Sequence, residues 1–144
     1  MLKNYIKMLI YPKMWGYLCN YCVGLWSMTG HKYKKAIKYF NKCLNSNLQN
    51  EKIPRAFVYE QLGKCYFDIN EIGKGKTFLL KSLELSSSND IVNSEIASRL
   101  GFIFYNEGDF EKAKYYLQKA IDNFKKIDYT NIEAVKEHLN KIKK

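Results

Sequence analysis

Three stretches of this chain repeat one order of small and bulky side chains: Tyr17 to Cys43, Ala56 to Ser82, and Ser94 to Ala120. With Gly24, Gly63 and Gly101 in register, each glycine follows an aliphatic residue, Val23, Leu62 or Leu100. Farther along each copy come the small residues Ala36, Gly75 and Ala113, the bulky Phe40, Leu79 and Leu117, and again the small Cys43, Ser82 and Ala120. This order predicts a pair of helices in each copy. The small positions let two helices approach closely, and the bulky residue fills the space between them. Between the two helices stand His31, Asn70 and Gly108, residue types that tolerate a left-handed backbone, so a turn is predicted there. Just beyond it, Tyr33, Ile72 and Phe110 are expected to anchor the second helix, with Asp109 as N-cap in the third copy.

The flanks carry further helical patterns. Thr130-Asn131-Ile132-Glu133 reads as a capping box, in which hydroxyl and carboxylate satisfy each other's backbone amides. The helix after it places Ile132, Val135, Leu139 and Ile142 on one stripe and Glu133, Lys136, Glu137 and Lys141 elsewhere, which suits a cap over the last hairpin. His138 lies beside that stripe with no ligand partner in view. At the other end, Leu2 to Tyr11 can form a short apolar helix ended by Pro12. It has three readings: a cap on the first hairpin, a membrane-surface segment held by Lys3 and Lys7, or an occupant of the chain's own groove. The expected layout is a single domain: an N-terminal helix over 1–12, three hairpins over 13–129 and a capping helix over 130–144.

The triplicate resembles the tetratricopeptide repeat, with its W-x2-L-G-x2-Y, A-x3-F and later A positions. The third copy fits best through Leu100-Gly101, Phe104, Ala113, Leu117 and Ala120. The second has Tyr59, Leu62-Gly63, Tyr66, Gly75, Leu79 and Ser82; the first keeps Gly24, Ala36, Phe40 and Cys43 but has Asn20 and Ser27 where large residues are usual. Glycine spacings of 39 and 38 exceed the usual 34, and the excess is expected between one hairpin and the next, in NSNLQNEKIP and LSSSNDIV, where longer helices or longer loops would both satisfy the count, with Pro54 in the first turn of the next helix. The resemblance implies an all-α fold, a right-handed α-solenoid of antiparallel helix hairpins with seven to eight helices. It also implies a protein-protein interaction module that takes a peptide or partner helix on the concave side. The groove positions carried over are Leu18, Tyr21, Leu25 and Met28, then Phe57, Glu60, Lys64 and Phe67, then Glu95, Ser98, Phe102 and Tyr105. Aromatic residues at this spacing are also what a core needs. The chaperone-docking branch of the family uses a basic carboxylate clamp; of the matching positions Tyr21, Leu25, Gln61, Glu95 and Arg99 only Arg99 agrees, which argues against chaperone tails as partners.

Composition narrows the function. A chain of 144 residues with 47% hydrophobic content can bury one core. Residues 1–50 hold eight lysines and no acid, so an anionic membrane surface, nucleic acid or an acidic protein could be attracted. Only Arg55 and Arg99 are arginines, and arginine supplies the planar fork that reads phosphates and guanine edges, which argues against nucleic acid. Met14 to Gly30 has no charge but contains Asn20, glycines, Ser27 and Thr29, and falls short of the ~20 apolar residues that span hydrocarbon. Cys19 and Cys22 form a C-x-x-C without a second half, so zinc or redox chemistry is not supported; with Cys43 and Cys65 they read as reduced, small apolar residues in a cytoplasmic protein. No nucleophile with a base, metal cluster, P-loop or cofactor motif stands out, and GKGK at Gly73 to Lys76 has the wrong spacing. The expectation is thus a non-catalytic interaction module without cofactor or metal. The alternative is a basic peripheral module attached through its acid-free first fifty residues.

Overall fold

A computed structural model describes residues 12–46, 55–86, 91–126 and 133–143, the side chains of 12–14, 91 and 126 excepted. All regular structure in them is helical: α1 (Pro12–Thr29), α2 (Tyr33–Leu44), α3 (Arg55–Asp68), α4 (Ile72–Leu85), α5 (Ile91–Asn106), α6 (Phe110–Lys126) and α7 (Glu133–Lys143). The N-terminal segment 2–11, Pro54 and the Thr130 end of the capping box lie outside the described residues.

The turns inside the three hairpins are built alike. His31, Asn70 and Gly108 adopt φ values of 55°, 64° and 80°. Around each, two crossing hydrogen bonds close the helix end. The amides of Lys32, Glu71 and Asp109 donate to the carbonyls of Ser27, Tyr66 and Phe104 at 2.8, 2.8 and 2.9 Å. The amides of His31, Asn70 and Gly108 donate to Met28, Phe67 and Tyr105 at 2.9, 2.9 and 3.1 Å. This 6→1 and 5→2 pair is the Schellman arrangement, and it needs the left-handed residue at its centre. The next helix starts at once, because Ala36, Gly75 and Ala113 donate to the carbonyls of Lys32, Glu71 and Asp109. Asp109 caps as expected, its carboxylate accepting from the Lys112 amide at 3.2 Å, whereas Lys32 makes no side-chain cap bond.

Close helix approach follows from the small positions. A Cβ on Gly24 would stand 2.5 Å from the Phe40 ring, and one on Gly101 would stand 2.6 Å from the Leu117 side chain. Gly75, where the other copies have alanine, already sits so near α3 that an added Cβ would come within 2.9 Å of Phe67 and 3.1 Å of the Gly63 carbonyl. Packing groups the chain into two compact units, residues 1–78 and 79–144, the boundary falling inside α4. The first has a core of Tyr17, Ala36, Phe40, Cys43, Val58, Leu62 and Cys65. In the second, Ala97, Leu117, Ala120, Ile121 and Phe124 close against Val135 and Leu139 of α7, with Ile142 at the edge. Of the stripe expected on the C-terminal helix, Val135 and Leu139 are buried and Ile142 is half-buried, while Ile132 lies outside the described residues.

Two expectations need correction, and one open question is answered. Cys19 and Cys22 are exposed, not core, because 100° per residue turns them about 140° and 160° round α1 from Gly24; Cys43 and Cys65 are buried. Ile72 and Phe110 are 39% and 51% exposed, so only Tyr33 packs on its core as an anchor, Phe110 merely meeting the Tyr105 ring edge-on at 5.6 Å. The excess spacing was open between longer helices and longer loops, and between Gly63 and Gly101 the helices α4 and α5 run 14 and 16 residues against 12 and 14 for α2 and α3. Part of the surplus is helix.

Candidate functional site

The first unit brings eight of the twelve groove positions onto two helices, α1 and α3. Leu18, Tyr21, Leu25 and Met28 line one flank of α1 and are half-buried, the last three packing on the unit's core. Tyr21 tilts against Phe40 with ring centroids 5.7 Å apart. From α3, Phe57, Lys64 and Phe67 are half-buried, and Phe67 also supports the close pass of Gly75. Glu60 departs from a surface role. It is 4% exposed, and its carboxylate pairs with Lys64 one turn along. Burial pushes the Tyr21 hydroxyl up to about 12, and the nearby Glu60 charge adds to the effect. The face is thus aromatic and apolar, with one internally paired charge.

The other four positions lie on α5 in the second unit. Glu95 is exposed and Ser98 half-buried, and both line a cleft of about 420 Å3 with Arg99 and Phe102. Ala134 and Val135 of α7 form its opposite wall. His138 of α7 meets Phe102 and Tyr105 edge-on at 4.7 and 5.4 Å, while its Nδ1 lies 3.0 Å from the Ala134 carbonyl. The C-terminal helix therefore covers the aromatic part of this set and leaves the Glu95–Ser98 part open.

Sequence patterning missed the polar braces at the hairpin junctions. Arg55, in the first turn of α3, donates to the Leu44 and Ser46 carbonyls at 3.0 and 3.2 Å, satisfying the open end of α2. In the second unit Asn93 does the corresponding work at the end of α4, donating to Ser86 Oγ at 2.8 Å and to the Ser86 carbonyl at 3.4 Å. Its own oxygen accepts from Asn123 at 2.9 Å. Polar residues in a helix's first turn were the available signal; their partners lie too far along the chain to be paired by periodicity.

Among the described residues, no group of three or more His, Cys, Asp or Glu side chains is placed to hold a metal, and none of their helices is long and apolar enough to cross a membrane. A cavity of about 590 Å3 runs along one face of α6. Against known families, residues 7–129 match the one described as the SusR N-terminal TPR domain. No curated protein matches the chain.

Proposed function

Because the chain belongs to the tetratricopeptide-repeat family, in the form described as the SusR N-terminal TPR domain, we propose that its first helices hold a peptide or helix of another protein. Members of this family generally mediate protein-protein interaction and are typically non-catalytic. The observation that supports the groove reading is the flank of α1 and α3, where Leu18, Tyr21, Leu25, Met28, Phe57 and Phe67 stay half-exposed. Large apolar groups left part-wet on adjoining helices suit the apolar stripe of an amphipathic helix. With Glu60 committed to Lys64, the face offers little to a charged ligand. A cytoplasmic setting, where thiols stay reduced, belongs to the same proposal.

Leu18 and Phe57 are the residues to substitute, since Phe67 and Tyr21 also carry packing. Partner recovery on the full chain from the native cell is expected to fall at least about tenfold in Leu18→Ala/Phe57→Ala, with the helical circular dichroism retained. Recovery should change little between low and high salt, as apolar contacts are not screened. Undiminished recovery by the variant would remove the groove from the account.

A further inference from the structure

The second and third hairpins share a four-residue device that the first hairpin has lost in a specific way. Three residues after the glycine stands an aromatic ring, Tyr66 or Phe104, stacked on a second ring twelve positions later. Tyr66 lies 5.3 Å from Phe78 at 4°, and Phe104 lies 5.5 Å from Tyr116 at 9°. A lysine covers the first ring: Lys74 Nζ is 5.5 Å from Tyr66, and Lys112 Nζ is 5.4 Å from Phe104. Each lysine is in turn paired with an acid one turn earlier, Glu71 or Asp109. Ring, ring, cation and anion form one linked set, and its second ring makes a further ring contact, Phe78 with Tyr59 and Tyr116 with Tyr115.

In the first hairpin the corresponding residues are Ser27, Tyr39, Lys35 and Lys32. The second ring and the lysine remain, while the first ring is replaced by serine and the acid by another lysine. A cleft of about 480 Å3 stands there, with Val23, Trp26, Ser27, Lys32, Lys35 and Tyr39 among its lining. Lys42 Nζ already sits 4.6 Å over the Tyr39 ring, and the first fifty residues contain no acid. Trp26, 79% exposed, extends the apolar surface at the mouth. What the cleft lacks, by comparison with its two sister copies, is one aromatic ring and one negative charge.

We propose that this cleft binds an aromatic side chain carried beside a carboxylate on a partner protein, the ring stacking on Tyr39 next to Lys35 and the carboxylate meeting Lys32 and Lys35. The sister hairpins supply the geometry, and the uncompensated lysines supply the sign of the charge. A chain segment suits the site better than a lone aromatic molecule, because Trp26 offers contact beyond one ring. A second copy presenting this same face would set lysines against lysines. The site shares no residue with the groove on the other flank of α1, and the two readings can fail separately.

The test titrates the full chain with the acetylated, amidated pentapeptide Glu-Glu-Tyr-Glu-Glu, following the indole N–H resonances of Trp15 and Trp26, the two tryptophans of the chain. A saturable shift at Trp26 is expected, with the Leu-centred peptide about three- to tenfold weaker. Ser27→Phe should abolish the shift and raise the thermal midpoint, because it rebuilds the stack seen in the other copies. Lys32→Glu, which restores the acid internally, should weaken the peptide about tenfold and serves if Ser27→Phe does not fold. Equal binding of the Tyr and Leu peptides, or binding untouched by both variants, would overturn the proposal. So would acetyl-tyrosine amide binding as tightly as the pentapeptide, a Trp26 shift driven by protein concentration alone, or one seen only with phosphatidylserine vesicles.

Discussion

At the residue scale, the account rests on which side chains are small, and substitution tests it directly. Gly24→Ala and Gly101→Ala put a methyl 2.5 and 2.6 Å from Phe40 and Leu117, so each should lower the urea-unfolding free energy by about 1–3 kcal/mol. Gly101→Ala should be the worse of the two, because the Leu117 backbone nitrogen also lies 3.1 Å away and cannot swing aside as a ring can. The thiols divide by burial: Cys19 and Cys22 should react with an aromatic disulfide reagent in the native protein, Cys43 and Cys65 only on unfolding. Burial pushes the Cys43 thiol up to about 11 and that of Cys65 to about 12, from an ordinary 9.0. In alkali the unfolded chain ionises first and so binds fewer protons than the folded one. Stability is then fully present below pH 9 and declines as pH rises toward 11–12, which urea midpoints at pH 8 and pH 10.5 would register. An unchanged midpoint would mean these thiols are wetter than the packing indicates. Asn123→Ala removes the donor to the buried Asn93 oxygen and should cost about 1–3 kcal/mol by the same assay.

At the element scale, hairpin turns and the C-terminal helix carry the argument. Gly108→Ala forces a Cβ onto a φ of 80° and should cost about 1 kcal/mol in urea unfolding, although nothing lies within 4 Å of the added atom. Leu139→Ala opens a void where α7 closes the second core, with an expected loss of about 2–4 kcal/mol. The turns were legible in the sequence because three weak hints, His31, Asn70 and Gly108, coincide once the glycines are aligned. The α7 stripe was legible because Val135, Leu139 and Ile142 follow helical spacing. What α7 covers was not legible: the contact of His138 with Phe102 and Tyr105 joins residues more than thirty apart, and no local pattern encodes it. Exposure of Cys19, Cys22, Ile72 and Phe110 escaped for a related reason. An apolar side chain at the right offset identifies a helix face, but whether another element lies against that face is decided elsewhere in the chain.

At the scale of the whole molecule, periodicity gave the helix pairs, and the resemblance to the tetratricopeptide repeat gave the solenoid and the groove positions. The repeat placed Leu18, Tyr21, Leu25, Met28, Phe57 and Phe67 on first helices, and the resemblance singled them out as groove positions. Finding Glu60 buried against Lys64, and the Ser27 cleft beside Trp26, required coordinates, because both depend on neighbours supplied by packing. The function proposed for the chain is that these first helices hold another protein. A photo-crosslinking residue placed at Phe57, and separately at the exposed Tyr115 of α6, tests this most directly in the native cell. The account predicts a discrete protein adduct from position 57 and none from position 115. Adducts of equal yield from both positions, or from 115 alone, would contradict it.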